Sequence, residues 1–511
     1  MPITVKEMRV LEINSCALGV PTRILMENAG SLTAKIIVDK LGRKDKAVIF
    51  AGKGGNAGDS FVVARHLAGY GYNVDVLLFY SINDITNKDT LDNLKILCTM
   101  DKTVRIFKPR TFALEAVKAD VLIDGLLGVG VKPPLREPIK SAIETFNRSK
   151  GFKVAIDVPS GLNPDTGEIV GDCVRANLTV TFHDVKYGLL KAKEYAGEIV
   201  VVKIGIPPEA ALYVGPGNVI YEVPAKPKDA HKGMGGRVLV IGGSELYSGA
   251  PALSALASLK SGADLAFVAA PESVAYVISS YSPNLIVKKL PGVNLNVKAL
   301  NELKAFINRV DAIVMGPGLG LADETKEAVI ELIHEITKAN KPMVLDADAL
   351  KILAEHGRVD LKGSTILTPH IKEALMLLKS HRNVCSLNDR INIATEISKI
   401  YNAVVLLKGP VDLIVYNDFL KLNRTGNQGM SVGGTGDTLT GIAATLLARK
   451  INPFKAAYIA AFVNGVSGDL AYKELGERLT ATDILNNIPI VFKSPLESYI
   501  ETRNSSIISP K

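Results

Sequence analysis

Residues 46–69 read KAVIFAGKGGNAGDSFVVARHLAG, and the succession of residue types in this stretch decides the fold. Lys46 to Ala51 is a short apolar run, Gly52-Lys53-Gly54-Gly55-Asn56-Ala57-Gly58-Asp59 is a glycine-rich turn, and Phe61 to Gly69 carries apolar positions at helical spacing. Strand, glycine turn and helix make one α/β unit. Val74 to Phe79, Val121 to Ile123, Val154 to Ile156 and Leu178 to Phe182 have the continuous Val/Ile/Leu character of strands buried on both faces. A parallel sheet wound with helices is therefore expected. Upstream, the opening forty residues read as helical, with Pro21 suited to a helix start and Gly30 interrupting the helical stretch after it.

Downstream the style repeats. Arg237 to Ile241, Leu265 to Ala269, Ala312 to Met315, Met343 to Leu345, Thr365 to Leu367 and Val404 to Leu407 are short buried-strand candidates separated by helical stretches. The last long helix is expected from Gly436 or Asp437 to about Arg449, with Leu439, Ile442, Ala443, Leu446 and Leu447 at helical spacing. Between the halves, Pro224 to Asp229 is a polar, proline-bearing stretch, which places a boundary between domains 1–223 and 224–511. No period of roughly 20 to 50 residues recurs, so a solenoid or propeller is not supported.

Composition bounds the function. At 511 residues, 47% hydrophobic and 22% charged, the chain is an ordinary folded protein too long for one core of roughly 100 to 200 residues. The net charge of +8 is scattered, without the run of like charges that marks a nucleic-acid arm. Cys16, Cys98, Cys173 and Cys385 lie far apart with no CxxC spacing, which suits a reducing cytoplasm and indicates neither a zinc ribbon nor a disulfide scaffold. No signal peptide or membrane span is visible.

Chemistry concentrates at the turns. Gly433-Gly434-Thr435-Gly436 leads into a helix, so backbone N–H groups converge on a point suited to phosphate. Asp437 follows, either as a general base beside a hydroxyl about to meet a phosphoryl group or as a helix cap. His370 follows a strand and suits either a ligand or a structural role. Asp346 and Asp348 also follow a strand, where they suit Mg²⁺ or a cap, and Gly316-Pro317-Gly318-Leu319-Gly320 suits close ligand approach or a plain tight turn. In the first half the glycine turn lacks the Lys-Ser/Thr of a P-loop. Asn56, Asp124 and Ser160, each after a strand, offer hard oxygen ligands for a hard cation; helix caps and turns explain each one separately. Lys186 either contacts ligand or is an ordinary exposed lysine.

Together these motifs resemble the bifunctional NAD(P)H-hydrate repair enzymes, an epimerase domain fused to a dehydratase of the ribokinase-like superfamily. The marks are Ile24-Leu25-Met26-Glu27-Asn28-Ala29-Gly30, Asn56-Ala57-Gly58-Asp59, Asp157-Val158-Pro159-Ser160-Gly161 and Thr181-Phe182 with Lys186 in the first half. In the second they are His231-Lys232-Gly233, Gly242-Gly243-Ser244, Tyr247-Ser248-Gly249-Ala250-Pro251, Asp346-Ala347-Asp348-Ala349-Leu350, Thr368-Pro369-His370 and Gly433-Gly434-Thr435-Gly436-Asp437. The resemblance implies a Rossmann-like N-terminal domain that interconverts the R and S epimers of hydrated NADH and NADPH. It implies a ribokinase-like C-terminal domain that dehydrates the S form with ADP, ATP being the other donor, and Mg²⁺. ADP would become AMP and phosphate, and a homo-oligomer is compatible with enzymes of this kind.

Residue by residue, the resemblance makes Asn56, Asp124 and Ser160 ligands of K⁺. Gly55, Asn56, Ala57, Gly58 and Asp59, with Gly128, Val129, Gly130, Val131, Lys132, Pro133 and Pro134, become hydrate-binding loops of the epimerase, and Asp157 a further contact. Asp157 and Lys186 are its catalytic candidates. In the dehydratase, Ala252, Gly318, His370 and Asp437 become hydrate contacts, with Asp437 the catalytic base. Lys408, Gly409, Pro410, Val411 and Asp412, and Asn427, Gln428, Gly429, Met430, Ser431, Val432, Gly433, Gly434, Thr435 and Gly436, become nucleotide contacts. The chain departs from the family at Gly55, Ala57 and Ser60, and at Ile371-Lys372, where the family favours Pro-Gly. Two rival readings are a ribokinase-like small-molecule kinase and a non-catalytic N-terminal binding module.

Overall fold

The computed structural model describes residues 2–109, 115–128, 134–169, 171–229, 231 and 233–504. The chain separates into two compact units, Met1–Pro208 and Glu209–Lys511. This division precedes the stretch Pro224 to Asp229, because the helix Pro216–Glu222 packs with the second unit. The Glu222 carboxylate there accepts from Lys455 Nζ and Tyr458 Oη, both at 2.6 Å, and Val214 N–H donates to the Leu422 carbonyl at 2.9 Å.

The first unit is one seven-stranded sheet of β1 (Lys46–Ala51), β2 (Asn73–Leu78), β3 (Val104–Phe107), β4 (Lys118–Gly125), β5 (Lys150–Ile156), β6 (Leu178–Phe182) and β7 (Glu198–Val202). Their order is β3-β2-β1-β4-β5-β6-β7, every pair parallel. The expected strands are all present, and the two edge strands β3 and β7 join them. Strand order reverses between β1 and β4, which opens a crevice beyond their carboxyl ends. Below it, Phe50 stacks on Phe79 with centroids 5.8 Å apart and meets Phe146 edge-on at 5.1 Å, contacts worth about 0.5–1.5 kcal/mol each.

Two local expectations are corrected here. Helix Thr22–Leu41 runs through Gly30 instead of breaking there. A Cβ at Gly30 would stand 2.4 Å from Val62 Cβ and 2.8 Å from the Asp59 carbonyl, so the glycine permits close crossing of two helices. The helix expected from Phe61 begins at Gly55, which puts Gly55 to Ser60 in its first turns instead of in a loop.

The second unit holds a nine-stranded sheet: β8 (Arg237–Ile241), β9 (Leu265–Pro271), β10 (Ile286–Leu290), β11 (Ala312–Met315), β12 (Met343–Leu345), β13 (Thr365–Leu367), β14 (Val404–Leu407), β15 (Asp412–Tyr416) and β16 (Phe419–Asn423). Their order is β10-β9-β8-β11-β12-β13-β14-β15-β16, parallel through β14 and then antiparallel. All six expected strands form, and the β15–β16 hairpin turns through Asn417 in the left-handed region (φ 52°). One sheet face is covered by a continuous core that includes Leu239, Ile313, Leu345 and Leu367. The helix expected from Gly436 or Asp437 is Thr435–Ala448, one or two residues earlier and buried along most of its length; it is not the last long one, because the apolar helices Pro453–Leu475 and Ala481–Lys493 follow it. Among the described residues no helix is long and apolar enough to cross a membrane.

Candidate active sites

In the first unit, chain leaving β1, β4 and β5 lines a cleft of about 520 Å³, to which helix Val5–Ala17 adds Arg9 and Glu12. Asn56, Asp124 and Ser160 meet around the Leu126–Leu127 backbone. The Ser160 hydroxyl donates to Asp124 Oδ1 at 2.6 Å, the Ser160 and Leu126 N–H groups donate to the same carboxylate, and Leu127 N–H donates to Ser160 Oγ at 2.8 Å. Asn56 Nδ2 donates to the Leu127 and Ile156 carbonyls at 2.9 and 2.7 Å. Its Oδ1 has no donor among the described residues and faces Gly128, where a Cβ would lie 2.5 Å away. Asp124 is fully buried, and burial pushes its carboxyl up to about 6 despite those hydrogen bonds. A buried carboxylate without a basic partner, an amide oxygen without a donor and a hydroxyl form an all-oxygen set that fits a hard cation such as K⁺.

Asp157, directly after β5, sits at φ 61°, a conformation that costs a non-glycine residue energy and is held here by its side chain. Asp157 Oδ1 accepts from Thr181 Oγ1 and Phe182 N–H, both at 3.1 Å, and from Lys186 Nζ. Lys186 Nζ also donates to the Phe182 carbonyl at 2.8 Å, and the side chain is fully buried. The ordinary exposed lysine is therefore excluded. Asp59 and Glu12 line the same cleft. Burial, with the charges of Asp157 and Glu12, holds the Asp59 carboxyl well above the usual range; burial, with Asp157, pushes Glu12 up to about 7 against Lys186 and Arg9.

The departures at Ala57 and Ser60 face inward, both side chains being buried, and Ser60 Oγ donates to the Ala57 carbonyl at 2.7 Å. Gly55 is exposed at the cleft, with nothing within 4 Å of where a Cβ would stand. Gly58 is buried against Met26 and Thr90. Of the second expected loop, Gly128 lines the cleft and Pro134 is exposed; Val129, Gly130, Val131, Lys132 and Pro133 lie outside the described residues.

In the second unit the chain enters helix Thr435–Ala448 through Gly434 at φ 94°, a left-handed turn that leaves the first helical N–H groups open to an anion. Asp437 lies in that first turn. Beside it, Lys408 Nζ donates to Asp346 Oδ1 at 2.9 Å and Thr368 Oγ1 donates to the same oxygen at 2.8 Å. A Cβ on Gly436 would lie 3.5 Å from Lys408 Nζ and 3.6 Å from Asp346 Oδ2, so the ion pair abuts the glycine turn. Burial, with the Asp346 anion, pushes Asp437 up to about 8 against the opposing charge of Lys408.

Asp346 and Asp348 do not converge as a metal pair. Asp348 accepts from Gly320 N–H at 2.9 Å and pairs with Lys351 at 2.9 Å, and Ala347 between the two takes φ 48°. His370 caps helix Ile371–Leu377: its Nδ1 accepts from the Lys372 and Glu373 N–H groups at 3.1 and 3.3 Å, and about half of its ring surface stays exposed. That cap survives the departure at Ile371-Lys372. Ala252 is buried in helix Gly249–Lys260, and Gly318 (φ 65°) approaches Tyr247.

The two expected nucleotide segments meet where Gly436 lies beside Lys408, and each is otherwise tied within itself or to its neighbours. Asp412 accepts from Gly409 N–H and Asn423 Nδ2, both at 3.0 Å, and Arg390 reaches the Lys408 carbonyl beside Gly409. Asn427 caps the turn Gln428–Met430 and donates to Asp469 at 2.8 Å, while Thr435 Oγ1 donates to the Met430 carbonyl. Glu12 and the Lys408 partnership of Asp346 were missed from sequence. The first sits in an unremarked helix, and the second joins residues 62 apart.

Residues 238–490 match a family described as NAD(P)H-hydrate dehydratase, and residues 22–188 one described as YjeF-related protein N-terminus. A bifunctional NAD(P)H-hydrate repair enzyme of Hyperthermus butylicus is 46% identical over 500 residues, 97% of this chain and 93% of the relative. One of Methanothermobacter thermautotrophicus is 41% identical, over 95% and 94% of the two chains. Among solved structures, an ADP/ATP-dependent NAD(P)H-hydrate dehydratase of Bacillus subtilis, co-crystallised with ATP and Mg²⁺, aligns with 55% of this chain and 98% of its own at 27% identity and a TM-score of 0.47.

Proposed function

The chain belongs to the bifunctional NAD(P)H-hydrate repair enzymes, and on that premise we propose how its two sites share the work. The enzyme interconverts the epimers of hydrated NADH and NADPH and dehydrates the S form back to the reduced cofactor. We assign epimerisation to the first-unit cleft, with Asp157 and Lys186 at its centre, and dehydration to the glycine turn at Asp437.

One observation carries the dehydratase assignment: Asp437 stands in the first turn of a helix whose free amides and adjoining Lys408 form an anion site. The ring hydroxyl of the hydrate would give its proton to Asp437 as the terminal phosphoryl group of the nucleotide transfers to its oxygen. A carboxyl near 8 suits that task, since a general base works best close to ambient pH. The amides from Gly433 to Gly436, with Lys408, would stabilise the transferring group. Phosphate then leaves where hydroxide would not, and loss of a neighbouring ring proton restores the double bond.

The donor would be ADP, giving AMP and phosphate, with ATP as the other substrate. We attribute Mg²⁺ to the nucleotide's phosphates, since Asp346 and Asp348 are each engaged elsewhere. K⁺ would rest on Asn56, Asp124 and Ser160, where it supplies positive charge beside the hydrate-binding loops. His370, Ala252 and Gly318 would bound the hydrate, and the segments Lys408 to Asp412 and Asn427 to Gly436 the nucleotide. Four unpaired cysteines support a reducing, cytoplasmic setting.

The test is recovery of dihydronicotinamide absorbance from mixed S and R hydrated NADH with K⁺, Mg²⁺ and either nucleotide. Full recovery, faster than spontaneous epimer exchange, is expected. Recovery of the S fraction alone would reduce the first unit to a binding module, and accumulation of a phosphorylated small alcohol with the hydrate untouched would turn the second unit into a kinase.

A further inference from the structure

We propose that Glu12 is the proton carrier of epimerisation, giving its proton to the departing ring hydroxyl and taking one back from the water that returns on the other face. The proposal rests on the assignment of epimerisation to the first-unit cleft. Glu12 lies outside residues 22–188 that the N-terminal family covers.

The N-terminal segment is built to deliver this side chain. Ile3 bridges in parallel to Lys186, its N–H donating to the Val185 carbonyl at 2.9 Å, and Val5 N–H donates to Asp165 Oδ1 at 2.8 Å. Helix Val5–Ala17 therefore starts beside the buried lysine. Val5, Met8, Arg9 and Glu12 follow at three- and four-residue spacing, and all four line the cleft. The charged groups acting on Glu12 are Arg9 on its own helix, Asp157 after β5 and Lys186 after β6, and Glu12 in turn acts on Asp59 in helix Gly55–Gly69. Asp157 is occupied by Lys186, Thr181 and Phe182, whereas no described side chain hydrogen-bonds Glu12. Its position near 7, raised by burial, leaves it able to give and regain a proton at neutral pH.

The chemistry balances without a co-reactant. Water added across the enamine double bond leaves a hydroxyl on the carbon next to the ring nitrogen. Protonation of that hydroxyl by Glu12 lets the nitrogen lone pair break the C–O bond, giving water and a C=N⁺ ring. The Asp157 carboxylate supplies negative charge beside that cation. Water then adds to the opposite face, a C–O bond forms and the proton returns to Glu12. No electrons are gained or lost, and one solvent oxygen enters each inverted molecule.

The test compares full-length wild type, Glu12→Gln and Glu12→Asp in exchange of separated R and S hydrated NADH in heavy-oxygen water, across the neutral pH range. Denaturant unfolding of the first unit in the same samples reports its folding. Wild type should exchange fastest on the acid side, fall off with a midpoint near 7 and take up solvent oxygen with each inversion. Glu12→Gln should slow exchange by about 100-fold or more and lose that fall-off, and Glu12→Asp should restore part of the rate. Glu12→Gln exchange at the wild-type rate with the same fall-off, or wild-type inversion without solvent oxygen, would overturn the proposal. Wild-type exchange no faster than buffer would sink the epimerase assignment itself, and this proposal with it.

Discussion

In the first unit Lys186 pairs with Asp157 and leaves Glu12 without an ion pair among the described residues; in the second Lys408 pairs with Asp346 and leaves Asp437 without one. Glu12 and Asp437 are raised, to about 7 and about 8, chiefly by burial and then by the anion of the paired aspartate. In each site the carboxylate paired to the lysine adds to burial in helping its neighbour keep a proton. What differs is the rest of the site. In the first, the oxygen set of Asn56, Asp124 and Ser160 gathers at the Leu126–Leu127 backbone that lines the same cleft, an arrangement that suits a cation. The second surrounds its pair with helix amides, which suit a phosphoryl group.

The comparison breaks first at Asp437. Asp437→Asn should lower the nucleotide-dependent dehydration rate by about 1000-fold while leaving epimer exchange intact, because general-base loss costs roughly 100- to 10,000-fold. Equal loss at both sites would mean that they are not independent. The same variant has a stability signature. The folded chain keeps the Asp437 proton up to about 8, whereas the unfolded chain releases it near 3.8, so the native state binds the extra proton between those values. Wild type should therefore lose stability relative to Asp437→Asn as pH rises across that window, as read by denaturant unfolding.

Next in size is Lys186→Met, which leaves Asp157 without its cation and should cost about 3–5 kcal/mol in unfolding of the first unit. A smaller loss would show that Thr181 and Phe182 suffice for Asp157. Gly125→Ala should cost about 1–3 kcal/mol, since its Cβ would lie 2.6 Å from Ser60 Cβ; adding Ser60→Gly should recover most of it. Failure of that rescue would show that the inward-facing departure at Ser60 is not matched to Gly125. The mildest effect is expected from Asp346→Asn. Without that anion, Lys408 acts unopposed on Asp437, and the rising limb of the dehydration pH profile should move down by about 1 unit. A limb that stays in place would mean that burial alone sets Asp437.

Buried parallel strands were readable because their apolar runs are continuous: β1, β4, β5 and β6, and six strands of the second sheet, stand where expected. Edge strands were not, since β3, as Val-Arg-Ile-Phe, is half exposed and looks like any short loop segment. Gly30 was misread for a related reason: what its missing Cβ admits is Val62, thirty-two residues away, and nothing local reports that partner. Of the site, Asp437 was legible because a glycine turn and a helix start announce it within five residues. Lys186 was legible only as a motif position, its burial coming from strands that meet in space.

From the sequence alone came the two α/β units, the glycine turns that open helices to phosphate, and the resemblance that the relatives then bore out. These are properties of residues near one another in the chain. Tertiary structure alone decided that Lys186 is buried against Asp157, that Asp346 pairs with Lys408 while Asp348 pairs with Lys351, and that a glutamate in the opening helix reaches the cleft. Proton affinity in such groups depends on burial and on the charges a few ångströms away, and both are set by which distant strands and helices the fold brings together.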